Sequence, residues 1–220
     1  MWVAAAYRTA SFVAAFLPTR APPLGLVADA RARAFNRMRE LQHAGDTASG
    51  LGRELAAAEG LRVREQWKAN TERSDLPSER IRCAIRANWE EWFNRSHGGM
   101  SFRLTQVMTG HGYFGSFQCR IGKIANPTCE HCGRAADTVE HTVEVCPAWH
   151  KEREILRATV GEDLTLTSLV RAMARSREGW AAVTRFADQV MTRKERAERE
   201  SANNAKRERG GMSTETFDGC

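Results

Sequence analysis

The sequence predicts a mostly α protein: small helical domains around a CCHC zinc knuckle, with a disordered polar C-terminal tail. Three observations carry that expectation. Apolar residues recur every three to four positions along most of the chain. No alternation of apolar and polar residues runs long enough for a convincing strand, and no internal repeat breaks the pattern. Between Cys129 and Cys146 the helical period gives way to four residues of metal-ligand type. At 220 residues, 42% of them hydrophobic, the chain has material for one ordinary domain or two small ones.

Taken in order, the apolar opening from Ala4 to Leu17 is stopped by Pro18, Pro22 and Pro23, which mark a connection. A helix resumes near Leu26, because Val27, Ala30, Ala34, Phe35, Met38 and Leu41 recur at helical spacing, with arginines between them, and runs out at Gly45 and Asp46. Leu51 to Trp67, rich in Ala and Glu, reads as a second helix weakened by Gly60. Asp75-Leu-Pro-Ser78 looks like a helix start, and Ile81, Ile85, Trp89 and Phe93 come after it at successive fours as a core stripe. Gly98 and Gly99 break the run. Leu104, Val107 and Met108 suggest a short helix ending at Gly110, and Phe114, Phe117 and Ile121 another ending at Gly122.

Past the cysteine loop, Asp137 is placed to cap a short helix that carries His141 and must end before Pro147. Helices are expected over Trp149–Thr159 and Leu164–Arg175. A long amphipathic one comes next, traced by Trp180, Val183, Phe186, Ala187, Val190 and Met191. Its continuation, Arg193 to Glu200, alternates bases and acids as a solvated helix does. From Ser201 the chain is polar without an apolar period and is expected to be disordered. These boundaries divide the chain into a helical segment at 1–74, a helical domain at 75–192 with the knuckle at 129–146, and a charged extension and tail at 193–220.

Cys129, Cys132, His141 and Cys146 spell Cys-x2-Cys-x8-His-x4-Cys, the spacing of a zinc site. Two thiols separated by two residues fit one tight turn, and Gly133 supplies the backbone freedom that turn needs. Three thiolates and one neutral imidazole fill a tetrahedral shell and leave no open position for water, so the metal is expected to be structural. A disulfide reading would need an oxidising compartment and would strand Cys146 beside His141. His131 lies between the first two cysteines but adjoins Cys132 too closely to share the ion, and a solvent-facing imidazole is expected there. Cys83 and Cys119 sit among apolar neighbours as buried free thiols, while Cys220 ends the polar tail.

The formal charge of +6 is unevenly spread. From Ser101 to Ala136, Arg103, Arg120, Lys123 and Arg134 face only Glu130, whereas acids dominate from Asp137 to Val170. The front of the knuckle is therefore the candidate phosphate-facing surface, with an ordinary solvated surface as the alternative. Tyr113 or Phe114 is placed to stack on bases, although Phe114 and Phe117 suit a core better. The uncharged run near the start, Thr9 to Thr19, is far short of the roughly 20 residues that span a bilayer. Arg8 and the missing small-residue cleavage pattern argue against a signal peptide. Paired Asp-Asp metal ligands, a Gly-x4-Gly-Lys-Ser/Thr loop and His-Glu-x2-His are all absent, so no catalytic residue is assigned. His111, between two glycines, reads as a turn histidine with a local hydrogen bond.

The strings Phe102-Arg-Leu-Thr-Gln-Val-Met-Thr-Gly-His-Gly-Tyr-Phe114, Arg120-Ile-Gly, Cys129-Glu-His-Cys132 and Asp137-Thr-Val-Glu-His141-Thr-Val-Glu-Val-Cys146-Pro-Ala-Trp149 closely resemble one known region. It is the C-terminal part of the reverse transcriptase polyprotein of arthropod non-LTR (LINE-type) retrotransposons. Ala6-Tyr-Arg-Thr9 and Pro22-Pro-Leu resemble the segment downstream of the polymerase thumb in those polyproteins. The resemblance implies a piece of a machine for target-primed reverse transcription, without its endonuclease and polymerase palm. Element RNA, target DNA and the polymerase domain of the parent polyprotein are its implied partners, and the nucleus its implied location. Only the four metal ligands carry over residue by residue. A zinc-stabilised module that braces the polymerase without touching nucleic acid remains the alternative.

Overall fold

A computed structural model describes residues 11–45 and 48–211. Ten α-helices account for most of them: α1 (Phe12–Phe16), α2 (Leu24–His43), α3 (Leu51–Asn70), α4 (Glu79–Arg86), α5 (Trp89–Asn94), α6 (Phe102–Thr109), α7 (Gly115–Arg120), α8 (His150–Val160), α9 (Leu166–Arg175) and α10 (Arg177–Gly211). A π-helical turn, His141–Val145, and a 3-10 turn, Pro147–Trp149, lead into α8. Among the described residues the only β pairing is the isolated antiparallel bridge between Thr128 and Ala136.

At 35 residues α10 is about 52 Å long, and α6, α8 and α9 pack along it. Its stripe of Val183, Phe186, Ala187, Val190 and Met191 is buried as the periodicity predicts. The helix does not stop where polarity rises; it continues to Gly211 instead of giving way to a disordered tail at Ser201. Ala, Lys, Arg and Glu are strong helix formers, so propagation from a packed helix needs no further apolar face. Residues 212–220, with Cys220, lie outside the described residues, as does the opening stretch before Ser11.

Of the stripe Ile81, Ile85, Trp89, Phe93, the first three are core, as expected, and Phe93 is half-buried against it, yet the stripe does not belong to one helix. Asn88, buried, donates from Nδ2 to the Ala84 carbonyl at 2.9 Å and to the Thr167 carbonyl at 3.1 Å. Its own backbone leaves the helical region (φ −126°, ψ 32°), and the chain restarts as α5. A side chain that takes over carbonyls the helix would otherwise use is the physical reason for the break.

Helices α2 and α3 form an antiparallel hairpin that docks on the body through Trp67, whose ring meets Trp89 edge-on at 5.9 Å and Phe93 at 5.1 Å. Gly60 is accommodated within α3 without interrupting it.

Arginines close the carbonyl ends that the short helices leave open. Arg82, 4% exposed, donates to the carbonyls of Thr71, Arg73, Leu76 and Pro77 and so folds the α3–α4 connection around itself. Arg95 lies between Trp92 and Trp180, its guanidinium 3.9 and 4.8 Å from their ring centres, and donates to the carbonyls of Trp92 and Pro18. Burial, then the neighbouring Arg20, pulls its pKa down to about 9. It stays charged at neutral pH. Gly98 closes this corner with φ +80°, and a Cβ there would stand 2.2 Å from the Trp180 ring. Gly98→Ala is therefore expected to cost about 3 kcal/mol, from overpacking and a strained backbone together. Urea unfolding of the two proteins measures it.

Cys83 and Cys119 are half-buried rather than buried; the Cys119 thiol reaches the Ala125 carbonyl at 3.7 Å. No helix among the described residues is long and apolar enough to cross a membrane.

Candidate metal centre

The cysteine loop begins as a turn built by its own backbone. Gly133 N–H donates to the Cys129 carbonyl at 2.7 Å, Cys129 N–H to Ala135 at 2.8 Å and Asp137 N–H to Pro127 at 2.7 Å. Gly133 takes φ +68°, as the spacing requires. This fold aims amide hydrogens at sulfur. The N–H groups of His131 and Cys132 point at the Cys129 thiol, those of Arg134 and Ala135 at Cys132, and that of Ala148 at Cys146. Such donors offset thiolate charge when an ion is held.

The other two ligands come from the segment after Asp137. His141 N–H donates to Thr138 Oγ at 3.0 Å, so Thr138, not Asp137, caps this turn. Cys146 N–H then reaches back five residues to the His141 carbonyl at 2.7 Å. At 3.6 residues per turn, positions five apart would point about 140° away from each other; the wider π turn returns Cys146 to the side of His141. Arg153, 4% exposed, locks that turn by donating to the carbonyls of Thr142, Val143 and Cys146 at 3.4, 2.9 and 2.6 Å.

The result brings together all four residues singled out by spacing: one ligand atom from each of Cys129, Cys132, His141 and Cys146 lies within 4.8 Å of every other. Cys129 and Cys146 sulfurs stand 3.9 Å apart, far beyond the roughly 2.05 Å of a disulfide, and Cys132 sulfur is 3.3 Å from His141 Nε2. This arrangement can hold a metal ion. Burial raises the Cys129 thiol and pushes Cys146 up to about 12, whereas the Arg134 N–H holds Cys132 below the usual thiol range. Burial lowers the His141 pKa, which favours the neutral imidazole that metal ligation needs. His131 is outside the group. Instead of facing solvent it is half-buried, edge-on to Trp149 at 4.6 Å.

Helix α10 braces this loop from behind. Lys194, 3% exposed, places Nζ at 2.5 and 2.7 Å from the two carboxylate oxygens of Asp137, itself 5% exposed. Asp137 also accepts from Gly115 N–H at 2.9 Å and Thr142 Oγ at 3.0 Å, and its carbonyl accepts from Ser116. One carboxylate thus ties α7, the metal loop and α10 together. Arg193 lays its guanidinium 4.7 Å from the Trp149 ring centre and pairs with Glu152 at 2.5 Å. Sequence reasoning read Asp137 as a cap and Lys194 as solvated. The available sign was that Lys194 falls three and four places after Met191 and Val190, on the buried stripe.

The bases of the knuckle front are partly engaged within the chain. Arg103 pairs with Glu195 at 3.3 Å and Lys123 with Glu198, both acids on α10. Arg120 is exposed and lies 5.3 Å from the Phe117 ring centre; Arg134 is exposed and forms no ion pair among the described residues. Tyr113 is half-buried and packs against the core, while Phe114 and Phe117 are buried in it, as the core reading had them. His111 is half-buried and edge-on to Phe117 at 4.7 Å, with the Thr109 backbone beside its ring. Compared with protein-family models, with curated proteins and with solved structures, the chain matches none.

Proposed function

We propose that this chain is a zinc-braced, nucleic-acid-binding helical module that performs no catalysis of its own and serves as the C-terminal part of a non-LTR retrotransposon reverse transcriptase. One observation carries the zinc reading: three sulfurs and one imidazole nitrogen converge within 4.8 Å of one another. A zinc ion with sulfur at about 2.3 Å and nitrogen at about 2.0–2.1 Å sets its ligand atoms about 3.5–3.8 Å apart, close to the 3.9 and 3.3 Å found here. Thiolate-rich N/S ligation selects zinc over magnesium or calcium, and four protein ligands leave no position for a reacting water. The ion's role is to fix the loop.

The resemblance of Phe102–Trp149 to the retrotransposon region, the +6 charge and the exposed Arg120 and Arg134 support nucleic acid as the ligand and the nucleus as the location. A second reading, a brace for the polymerase that leaves nucleic acid alone, is favoured by the Arg103–Glu195 and Lys123–Glu198 pairs, which occupy two of the four front bases. Salt separates the readings. Binding through phosphates must weaken as salt rises, with a log–log slope of about −0.7 per phosphate on single strands. Arg120→Glu with Lys123→Glu is expected to weaken RNA or DNA binding and flatten that slope while zinc content stays at one per chain. Fluorescence anisotropy between low and moderate salt checks it, and binding equal to wild type would remove this surface from the proposal.

A further inference from the structure

The outward face of α2 carries base and aromatic surface without acid. At 100° per residue, Leu24, Ala28, Arg31, Ala32, Phe35, Arg39 and Gln42 lie within about 60° of the Phe35 direction and are exposed, with the half-buried Met38 at the edge of the stripe. The two acids of α2, Asp29 and Glu40, stand about 120–140° round the helix, and Glu40 is tied to Arg37 at 2.9 Å. Arg33, on the inner side, is tied to Glu59 at 2.7 Å. Arg31 and Arg39 form no ion pair among the described residues, unlike Arg103 and Lys123 at the knuckle. Between them Phe35 is 62% exposed, and the Arg39 guanidinium lies 5.9 Å from its ring centre.

The chemistry of the stripe selects among partners. A wholly apolar protein surface laid on Phe35 would desolvate Arg31 and Arg39 one turn to either side and leave both charges uncompensated. An unpaired nucleic-acid strand meets both needs together, since it offers a base to stack on the ring and phosphates for the flanking guanidiniums. We propose that α2 is a second contact for single-stranded nucleic acid, with Phe35 as the stacking platform and Arg31 and Arg39 as phosphate clamps. The ligand class rests on the nucleic-acid reading above; the location does not, because this stripe lies on the α2–α3 hairpin and shares no residue with the metal loop or its front bases.

The test is anisotropy of a labelled oligouridine RNA with the full zinc-loaded chain. Phe35→Ala is expected to weaken binding about tenfold. Arg31→Glu with Arg39→Glu is expected to flatten the salt slope by about 1.4. All three positions are exposed, so thermal unfolding and zinc content should match wild type. If these variants bind like wild type while Arg120→Glu with Lys123→Glu loses binding, the α2 contact is overturned and the front surface stands. If wild type binds neither RNA nor DNA at any salt, both fall. If light scattering shows a dimer that Phe35→Ala abolishes with RNA affinity unchanged, the stripe is a self-association face and the inference is overturned.

Discussion

Replacing Cys132 with serine is expected to strip the metal and unfold the segment from Pro127 to Trp149. Cys132 is the most accessible of the three thiols, but its sulfur stands 3.3 Å from His141 Nε2 and joins the two halves of the loop. Little else joins those halves: Thr142 Oγ donates to the Asp137 carboxylate, whereas the Thr128–Ala136 bridge lies within the first half and Arg153 reaches only carbonyls of the second. Apparent binding energies of structural zinc are on the order of 10 kcal/mol, a sum comparable with the whole stability of a domain. Chelation of the wild type should reproduce the serine phenotype. Metal content by atomic emission and amide exchange across Pro127–Trp149 measure the two effects, and a serine variant that keeps full zinc and unchanged protection would refute the ligand assignment. The pH dependence has a fixed sign. Without metal, burial keeps Cys129 and Cys146 protonated at neutral pH, the latter with a pKa of about 12. An ion must displace those protons, so apparent affinity rises with pH and is lost on acidification.

The second large effect belongs to Lys194. Lys194→Met should destabilise the protein by about 3–5 kcal/mol, since it leaves the Asp137 carboxylate charged, enclosed and without its cation. Gly115 N–H and Thr142 Oγ remain as donors but carry no full charge. Adding Asp137→Asn to Lys194→Met removes the orphan charge and is expected to recover more than half of the loss. Urea unfolding of the two single variants and the double variant gives the coupling. Additive losses in the double variant would mean that the two groups do not act as a pair.

How far the chain could be read without coordinates depended on what kind of force held each part. Burial tracks period, so the α10 stripe from Val183 to Met191 and the α4–α5 core residues were legible. Ligand spacing was legible too, because Cys-x2-Cys leaves few geometries open. Long-range polar contacts escaped. Nothing near Asn88 in the chain reveals that Thr167, on α9, will draw its amide and divide a helix. Nothing near Asp137 points to a cation 57 positions away. Thr138 took the capping role for a local reason, its hydroxyl lying three residues before His141, and freed Asp137 to turn inward. His131 was read as facing water because an aromatic partner 18 positions downstream, Trp149, has no local trace.

The Asp137–Lys194 tie also bears on the order in which a ribosome delivers the chain. All four metal ligands emerge before α9 and α10, yet the carboxylate beside them receives its counterion only when Lys194 leaves the exit tunnel. A nascent chain halted before that point carries every ligand and an unfinished foundation. Chains truncated upstream of α10 should therefore fail to mature even though their cysteine motif is intact.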